Sequence, residues 1–345
     1  LQKWIPQDEI IVGEGLKRMI SPPRVLVIGD INLDVIFRCS TYPEEGADVL
    51  VKTPDQRLGG SGCNTAIALS KLGVLTEILG HVGDDAFGMV ARNRLKASGV
   101  DTRLVLECPA GTTGWMMILV TPGGQRTIFG YRGCNSLPYL KTDRLSILGG
   151  QDIIHVSGYT FLEADQWKSV QQIMMAAHSQ GKRISLDPGM DATQKAGERI
   201  FSILPCVDYL LISELELSKL SPNPSIPMGC QDLLARGVKS VVLKMGARGS
   251  CVRTKDTETL EPAFNLPGYQ VQDTTGAGDC FNAGFLAGQL LGLTPADSLI
   301  LGNATAYYTV TSLHGMEDLV GERSFRSWIS TLIRENRGRE LPLIE

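Results

Sequence analysis

Short apolar runs alternate along the chain with longer stretches of helical period. VLVIGD, TEILGHVG, QDIIHVSG, RISLDPG, VDYLLIS and SVVLKMG each read as a buried strand that stops at Gly, Asp or Ser. Between them, Asp85–Ser98, Ala164–Ser179 and Met228–Arg236 repeat their apolar positions at helical spacing. Strands that are apolar throughout, rather than in alternation, belong to sheets covered on both faces. The order predicts a doubly wound α/β fold, a mostly parallel central sheet with helices on both faces. Two stretches break the pattern. Val35–Leu58 and Gly111–Tyr131, the second with a Pro122-Gly123-Gly124 turn, read as strands and hairpins without helices. They predict a small β-sheet lid over one end of the main sheet, formed by about 35–58 and 111–134. SPNPSIP, Ser221–Pro227, marks a surface loop, and no internal repeat or low-complexity tract is found. Residues 1–24 read as an extension and 25–345 as the folded body.

Composition narrows what such a body could do. At 345 residues, 43% hydrophobic and 20% charged, the chain can bury a core as one large domain or two ordinary ones. The net charge of −4, with both signs mixed, provides no basic tract for nucleic acid or an anionic membrane surface. Small-molecule chemistry is the better expectation. Eight scattered cysteines show no C-x-x-C pair and no paired ligand spacing, so neither a zinc site nor a disulfide framework is indicated, and a reducing cytoplasmic setting is expected. No apolar run is long enough to span a bilayer, and the opening LQKWIPQDEIIVGEGLKRMISPP lacks the basic-then-apolar order of a signal peptide.

DTTGAGDCFNAG, from Asp273 to Gly284, places an acid between a flexible turn and an apolar helical pattern. Phe281, Phe285 and Leu286 fall on one face, while Ala283, Gly284, Ala287 and Gly288 keep another face small, which predicts a closely packed helix starting near Gly278. The first N–H groups of a helix have no internal partner, and the dipole there is positive, so Gly276-Ala277-Gly278 can hold an anion such as phosphate. Asp279 then stands beside that anion as a proton acceptor. On this stretch alone, an acid that merely stabilises a helix terminus is an equal reading.

The upstream half shifts the balance. In VLVIGDINLDVIF the strand period puts Asn32 and Asp34 on one face, just past the end of a buried strand, where open α/β sheets bind ligands. LGGSGCNTA is a second glycine-rich turn, entering a helix that ends near Leu72-Gly73, with Asn64 able to reach back.

Together, GDINLD, GGSGCNTAIALSKLG and DTTGAGDCFNAGFLAG resemble the signatures of the ribokinase-like carbohydrate kinases, the PfkB family. The resemblance runs in register from about Val25 to about His314, and the tail Gly315–Glu345 matches a terminal helix by position. It implies a ribokinase-like fold and an ATP- and Mg²⁺-dependent kinase that phosphorylates a hydroxyl of a sugar or sugar-like substrate. By the same resemblance Asp279 is the base, and Gly276, Ala277 and Gly278 are the anion hole. Asn32, Asp34, Gly60, Ser61, Asn64 and Asn135 bind substrate. Lys244, Gly246 and Gly249 lie under the nucleotide phosphates, and Asn303 flanks the adenine. Glu216 organises Mg²⁺, through water, and Asp273 and Thr275 hold a monovalent cation such as K⁺. The strands of the lid would have open edges unless a second subunit covers them, so a homodimer through the lids is expected.

The departures are as informative. The family's N-x-x-E is Ser213-Glu214-Leu215-Glu216 here, which moves metal organisation toward water or Glu214. Ser61 stands where ribokinase itself carries Lys, and VTSLHGMED differs from the usual V-T-R-x-G-A, which bears on the adenine and cation contacts. The segment through Pro23 matches nothing in the family and is expected to pack as a surface helix. His155 reads as a satisfied buried histidine. Arg132 and Lys244 could clamp phosphates or be solvated, Lys244 being favoured as a clamp by its place at a strand end. Cys280 reads as a buried filler. A nucleoside kinase of the same fold is the nearest alternative, and a non-catalytic nucleotide- or sugar-binding relative is a different class. A dinucleotide oxidoreductase is weaker still, because neither glycine turn has G-x-G-x-x-G spacing.

Overall fold

The computed structural model describes residues 22–51, 54–122, 125–139, 147–266, 271, 274–312 and 322–343. The N-terminal segment expected to form a surface helix therefore lies almost wholly outside the described residues.

Thirteen strands are described: β1 Arg24–Ile28, β2 Asn32–Arg38, β3 Asp55–Gly59, β4 Leu75–Gly83, β5 Val105–Cys108, β6 Gly114–Val120, β7 Arg126–Tyr131, β8 Ile153–Ser157, β9 Arg183–Asp187, β10 Tyr209–Ser213, β11 Ser240–Lys244, β12 Ser250–Arg253 and β13 Glu258–Glu261. Nine of them form one sheet in the order β13-β12-β11-β10-β9-β8-β1-β4-β5, parallel except that β12 runs antiparallel to both β11 and β13 at one edge. Six match the apolar runs read from the sequence. The antiparallel edge was not read, because β12 and β13 are short and one of them alternates with exposed positions.

The period of two along β1 shows how this sheet is held. Val25 and Val27 enter the apolar layer on one face, Leu26 and Ile28 the layer on the other, and all four are fully buried. The first layer is closed by α1 Ser61–Lys71, α8 Ala277–Leu290, α9 Pro295–Thr311 and α10 Glu322–Arg337. The second is closed by α3 Ala164–Ser179 and by α4 Met190–Lys195, α5 Gly197–Ile203, α6 Glu214–Leu220 and α7 Ile226–Ala235. Helix α2, Ala86–Ala97, starts at Asp85, whose carboxylate caps Gly88 N–H at 2.7 Å and accepts from Thr113 Oγ1 at 2.6 Å.

The two stretches without helical period form the second sheet, β3-β2-β6-β7. Strand β2 runs on from β1 within a few residues, so this small sheet leaves the carboxyl edge of the large one. Pairing puts Asn32, Asp34, Met116 and Gly130 on one face, and Trp115, Met117, Phe129 and Tyr131 on the other. The chain reverses direction of winding around β1, and the crevice at the carboxyl ends of β1, β8, β9 and β11 collects Asp30, Ser157, Asp187 and Lys244.

Candidate active site

Helix α8 begins at Gly276, whose φ of 75° is left-handed and strained for any other residue, and no side chain caps it. An uncapped first turn leaves N–H groups for an acceptor from outside the helix. Asp279 lies in that turn, half-buried. Ser61 Oγ donates to its Oδ1 at 2.8 Å and Asn64 Nδ2 to its Oδ2 at 2.8 Å, both from the first turn of α1. Thr65 Oγ1 adds a bond to the Asp279 carbonyl at 3.3 Å. Burial pushes the carboxyl up to about 6, with the negative charge of Asp187 adding to it, and the bonds from Asn64 and Ser61 only partly offset this. Each oxygen of the acid thus has one neutral donor, which fixes its orientation without neutralising it.

Below the turn lies a buried ionic cluster. Lys244 Nζ donates to Asp187 Oδ2 at 2.8 Å and to Asn282 Oδ1 at 3.3 Å, while Asn282 Nδ2 donates to the same Asp187 oxygen at 2.6 Å. Burial works against charge on both ions. It is outweighed: Asp187 and Glu216 hold the ammonium above its ordinary value, and Lys244 holds Asp187 below the usual carboxylate range. Lys244 is therefore not solvated; its side chain is 14% exposed and points at the first turn of α8.

On the side of the small sheet, Asn32 Oδ1 accepts from Asn135 Nδ2 at 2.8 Å. Asn135 is fully buried and also bonds the Ile31 N–H and carbonyl, each at 3.0 Å, so its amide braces the β1–β2 passage. Asp34 is pressed against Gly59, where a Cβ would come within 2.2 Å of its carboxylate. Gly60 is the N-cap of α1. Arg132 is largely buried rather than solvated: it pairs with buried Asp30 through Nε at 3.1 Å and Nη2 at 2.9 Å, and bonds the Asn135 carbonyl. His155 is fully buried with Nδ1 on Ser185 Oγ at 3.0 Å, and burial lowers its pKa to about 4, so it is neutral. Cys280 is buried and its thiol is pushed up by burial.

The remaining predicted residues take places beyond the turn. Gly246 opens a short 3₁₀ turn, Gly246–Arg248, after β11, Gly249 caps its end, and Arg248 pairs with Glu214 of α6. Glu216 closes a capping box on α6. Its Oε2 accepts from Ser213 N–H at 2.6 Å and Ser213 Oγ at 2.8 Å, and burial followed by the charge of Asp187 raises its pKa. The Asn303 amide accepts from Ser250 Oγ at 2.9 Å and donates to the Glu261 and Pro262 carbonyls at 3.2 Å, holding the strand edge. Thr275 accepts from Arg126 of β7, and Arg126 also reaches Thr274 at 3.3 Å. Asp273 lies outside the described residues. Among the described residues no group of three His, Cys, Asp or Glu side chains could hold a metal ion.

Four members of this site were missed in the sequence: Asp30, Asp187, Asn282 and Arg126. Asp187 carried a usable signal, an acid at the carboxyl end of an apolar strand. Asn282 is an amide inside an apolar helical pattern. Arg126 carried none, since its contact depends on how the small sheet folds back over α8.

The profile of the pfkB family carbohydrate kinases matches residues 22–319. An ATP-dependent ribose-1-phosphate kinase of Halopiger xanaduensis is 31% identical over 269 residues, 76% of this chain and 84% of that protein. The structure of Arabidopsis thaliana ribokinase complexed with ribose and ATP superposes with a TM-score of 0.79 at 26% identity, covering 90% of this chain and 99% of that one. A nucleoside kinase of Methanocaldococcus jannaschii is 25% identical over 289 residues, 83% of this chain and 90% of that protein.

Proposed function

The chain belongs to the pfkB family of carbohydrate kinases, and on that premise we propose that it moves the γ-phosphoryl group of ATP onto a hydroxyl of a ribose-like polyol, with Asp279 as base and the 276–278 turn as anion hole. It is a phosphotransferase with an alcohol group as acceptor. The observation that carries the finer reading is the seating of Asp279: an acid gripped at both oxygens beside an uncapped helix N-terminus. Asn32, Asp34 and the Gly60 backbone line the same crevice and would take the acceptor's hydroxyls, with Asn135 bracing Asn32 and with Ser61 and Asn64 orienting the base. As the acceptor oxygen forms its bond to phosphorus, its proton passes to an Asp279 oxygen and the bond from phosphorus to ADP breaks.

ATP supplies the phosphoryl group, and its anionic charge fits the open first turn of α8 with an ammonium beneath it. Lys244, Gly246 and Gly249 would hold the phosphates, and Asn303 would support the adenine side through the strand edge it braces. Mg²⁺ fits as an ion carried by the triphosphate with most of its water shell, with Glu216 as an outer carboxylate, since no group of three metal-ligating side chains is found among the described residues. A monovalent cation, K⁺, is assigned to Asp273 and Thr275. Residues 25–345 act as one kinase domain, with the small sheet as its lid. The apolar outer face of that sheet supports a homodimer through the lids. No described helix is long and apolar enough to cross a membrane, and the eight cysteines are free thiols, which supports a cytoplasmic protein.

A nucleoside acceptor is the second reading. Tyr159, half-buried after β8, lies within electrostatic reach of Asp191, Asp279, Asp187 and Asp30, and would supply an aromatic ring for a base. A coupled ADP-release screen over ribose, ribose-1-phosphate, other pentoses, hexoses, keto-deoxy acids and nucleosides decides. Release with a ribose-type sugar above all others is expected. Silence with every acceptor removes the kinase reading.

A further inference from the structure

Lysine carries three N–H donors. Among the described residues two of those on Lys244 are taken, by Asp187 at 2.8 Å and Asn282 at 3.3 Å. The ammonium lies 3.5 Å from the position a Cβ at Gly278 would occupy, so it sits against the bare backbone of the anion turn. The support beneath it is complete. Asp187 Oδ1 accepts from Gly189 N–H at 3.0 Å, and Oδ2 accepts from both Lys244 and Asn282. Asn282, fully buried, is fixed on α8 just under one turn from Asp279, and Lys244 crosses over β10 from β11 to reach Asp187 on β9. A buried ion pair is a poor device for stability alone, because apolar residues of the same volume often do as well. This one lies where a phosphoryl group would pass.

We propose that Lys244 is a catalytic residue whose third N–H meets the phosphoryl group in flight, and that Asp187 and Asn282 are positioning residues that hold the ammonium for it. The inference rests on the kinase reading above and deepens it. It moves Lys244 from ground-state nucleotide binding to the transferring group. A donor of this kind is fixed before the reaction begins, and so acts on the charge that develops rather than on substrate affinity.

The test compares wild type with Lys244→Met, Asp187→Asn and the double variant. The readouts are kcat with the best acceptor and calorimetric affinity for a non-hydrolysable ATP analogue. A third readout is calorimetric affinity for ADP with aluminium fluoride, a planar mimic of the phosphoryl group in flight. Lys244→Met is expected to lower kcat about 10²–10³-fold, as loss of one preorganised donor does. Binding of the planar mimic should weaken with it, while ATP-analogue affinity changes little. Asp187→Asn should lower kcat less, and the double variant should match Lys244→Met within about twofold, because Asp187 acts only through the lysine. If Lys244→Met does not fold, with Asp187 left buried and unpaired, the double variant removes both charges and carries the comparison. Near-wild-type kcat in Lys244→Met or in the double variant overturns the inference, as does a loss of ATP-analogue affinity matching the loss of kcat. Multiplying effects of the two single variants overturn the positioning role. All of these presuppose an active wild type; a wild type inert toward every acceptor refutes the kinase reading and this inference with it.

Discussion

Asn64 Nδ2 donates to Asp279 Oδ2 at 2.8 Å, although 215 positions separate them in the chain. The bond joins the first turn of α1 to the first turn of α8, two helices that pack in the same layer on the large sheet. Each helix is preceded by glycines that let the chain enter the crevice closely. One turn therefore positions the acid carried by the other, and residues assigned to substrate by resemblance, Ser61 and Asn64, are engaged with Asp279.

Replacing Asp279 by Asn keeps the shape but removes the proton acceptor, and a positioned base is worth about 10²–10⁴ in rate. The variant should fold, bind sugar and nucleotide, and turn over almost nothing. Its stability has a sign as well. The folded carboxyl sits near 6, above its ordinary 3.8, so the ionised acid costs stability above that pH, and the cost fades as pH falls through 6. Asp279→Asn should therefore melt higher than wild type at pH values well above 6, with the gap closing in acid. Thermal melts across pH, with single-turnover assays, check both halves; turnover near wild type would make Asp279 only a helix-terminus acid.

The acid limb of kcat/KM should follow the same group. Asp279 must be ionised to accept a proton, so activity is expected to fall as pH drops through about 6. Asn64→Leu and Ser61→Ala each remove a bond that favours the ionised form, so each should move the limb to higher pH. Steady-state profiles on the preferred acceptor measure the shift, and a limb that moves down or stays fixed contradicts the assignment.

The central strands and the two glycine turns were legible because both depend on local chemistry: apolar runs for strands buried on both faces, and glycine before a helix start. The small sheet was legible as a break in that pattern, and its hairpin at Pro122 followed from turn residues. What the sequence concealed was which polar side chains meet. Asn135, assigned to substrate, spends its amide on Ile31 and Asn32. Glu216, assigned to metal, closes a capping box, for which Ser213 three residues earlier was itself the local signal. Arg132 gave no hint of Asp30, since that pair forms only when the end of β7 folds back onto the end of β1.

The outer face of the small sheet should be an interface between two copies. Phe129 is 52% and Tyr131 48% exposed, on an outer strand beside Met117 and Trp115. An apolar face on an open edge invites association. Analytical ultracentrifugation should find a dimer, and Phe129→Asp should shift it toward monomer while leaving the large sheet folded by circular dichroism. A fully active wild-type monomer at all concentrations would contradict this.

Potassium should raise the rate by acting beside the anion turn. Thr275 adjoins Gly276, and a cation held there with Asp273 would add positive field where phosphoryl charge develops. Arg126 already donates to Thr275 from the small sheet, so a fixed charge and a mobile one would share the threonine. The two are then expected to substitute for each other in part. Rates in potassium should exceed those in tetramethylammonium buffer for the wild type, and Arg126→Ala should widen the ratio because the mobile cation is left to supply the field alone. Assays at matched ionic strength keep general screening out of the comparison. Equal rates in both salts for both proteins would remove the cation site and leave Arg126 as the charge that serves the turn.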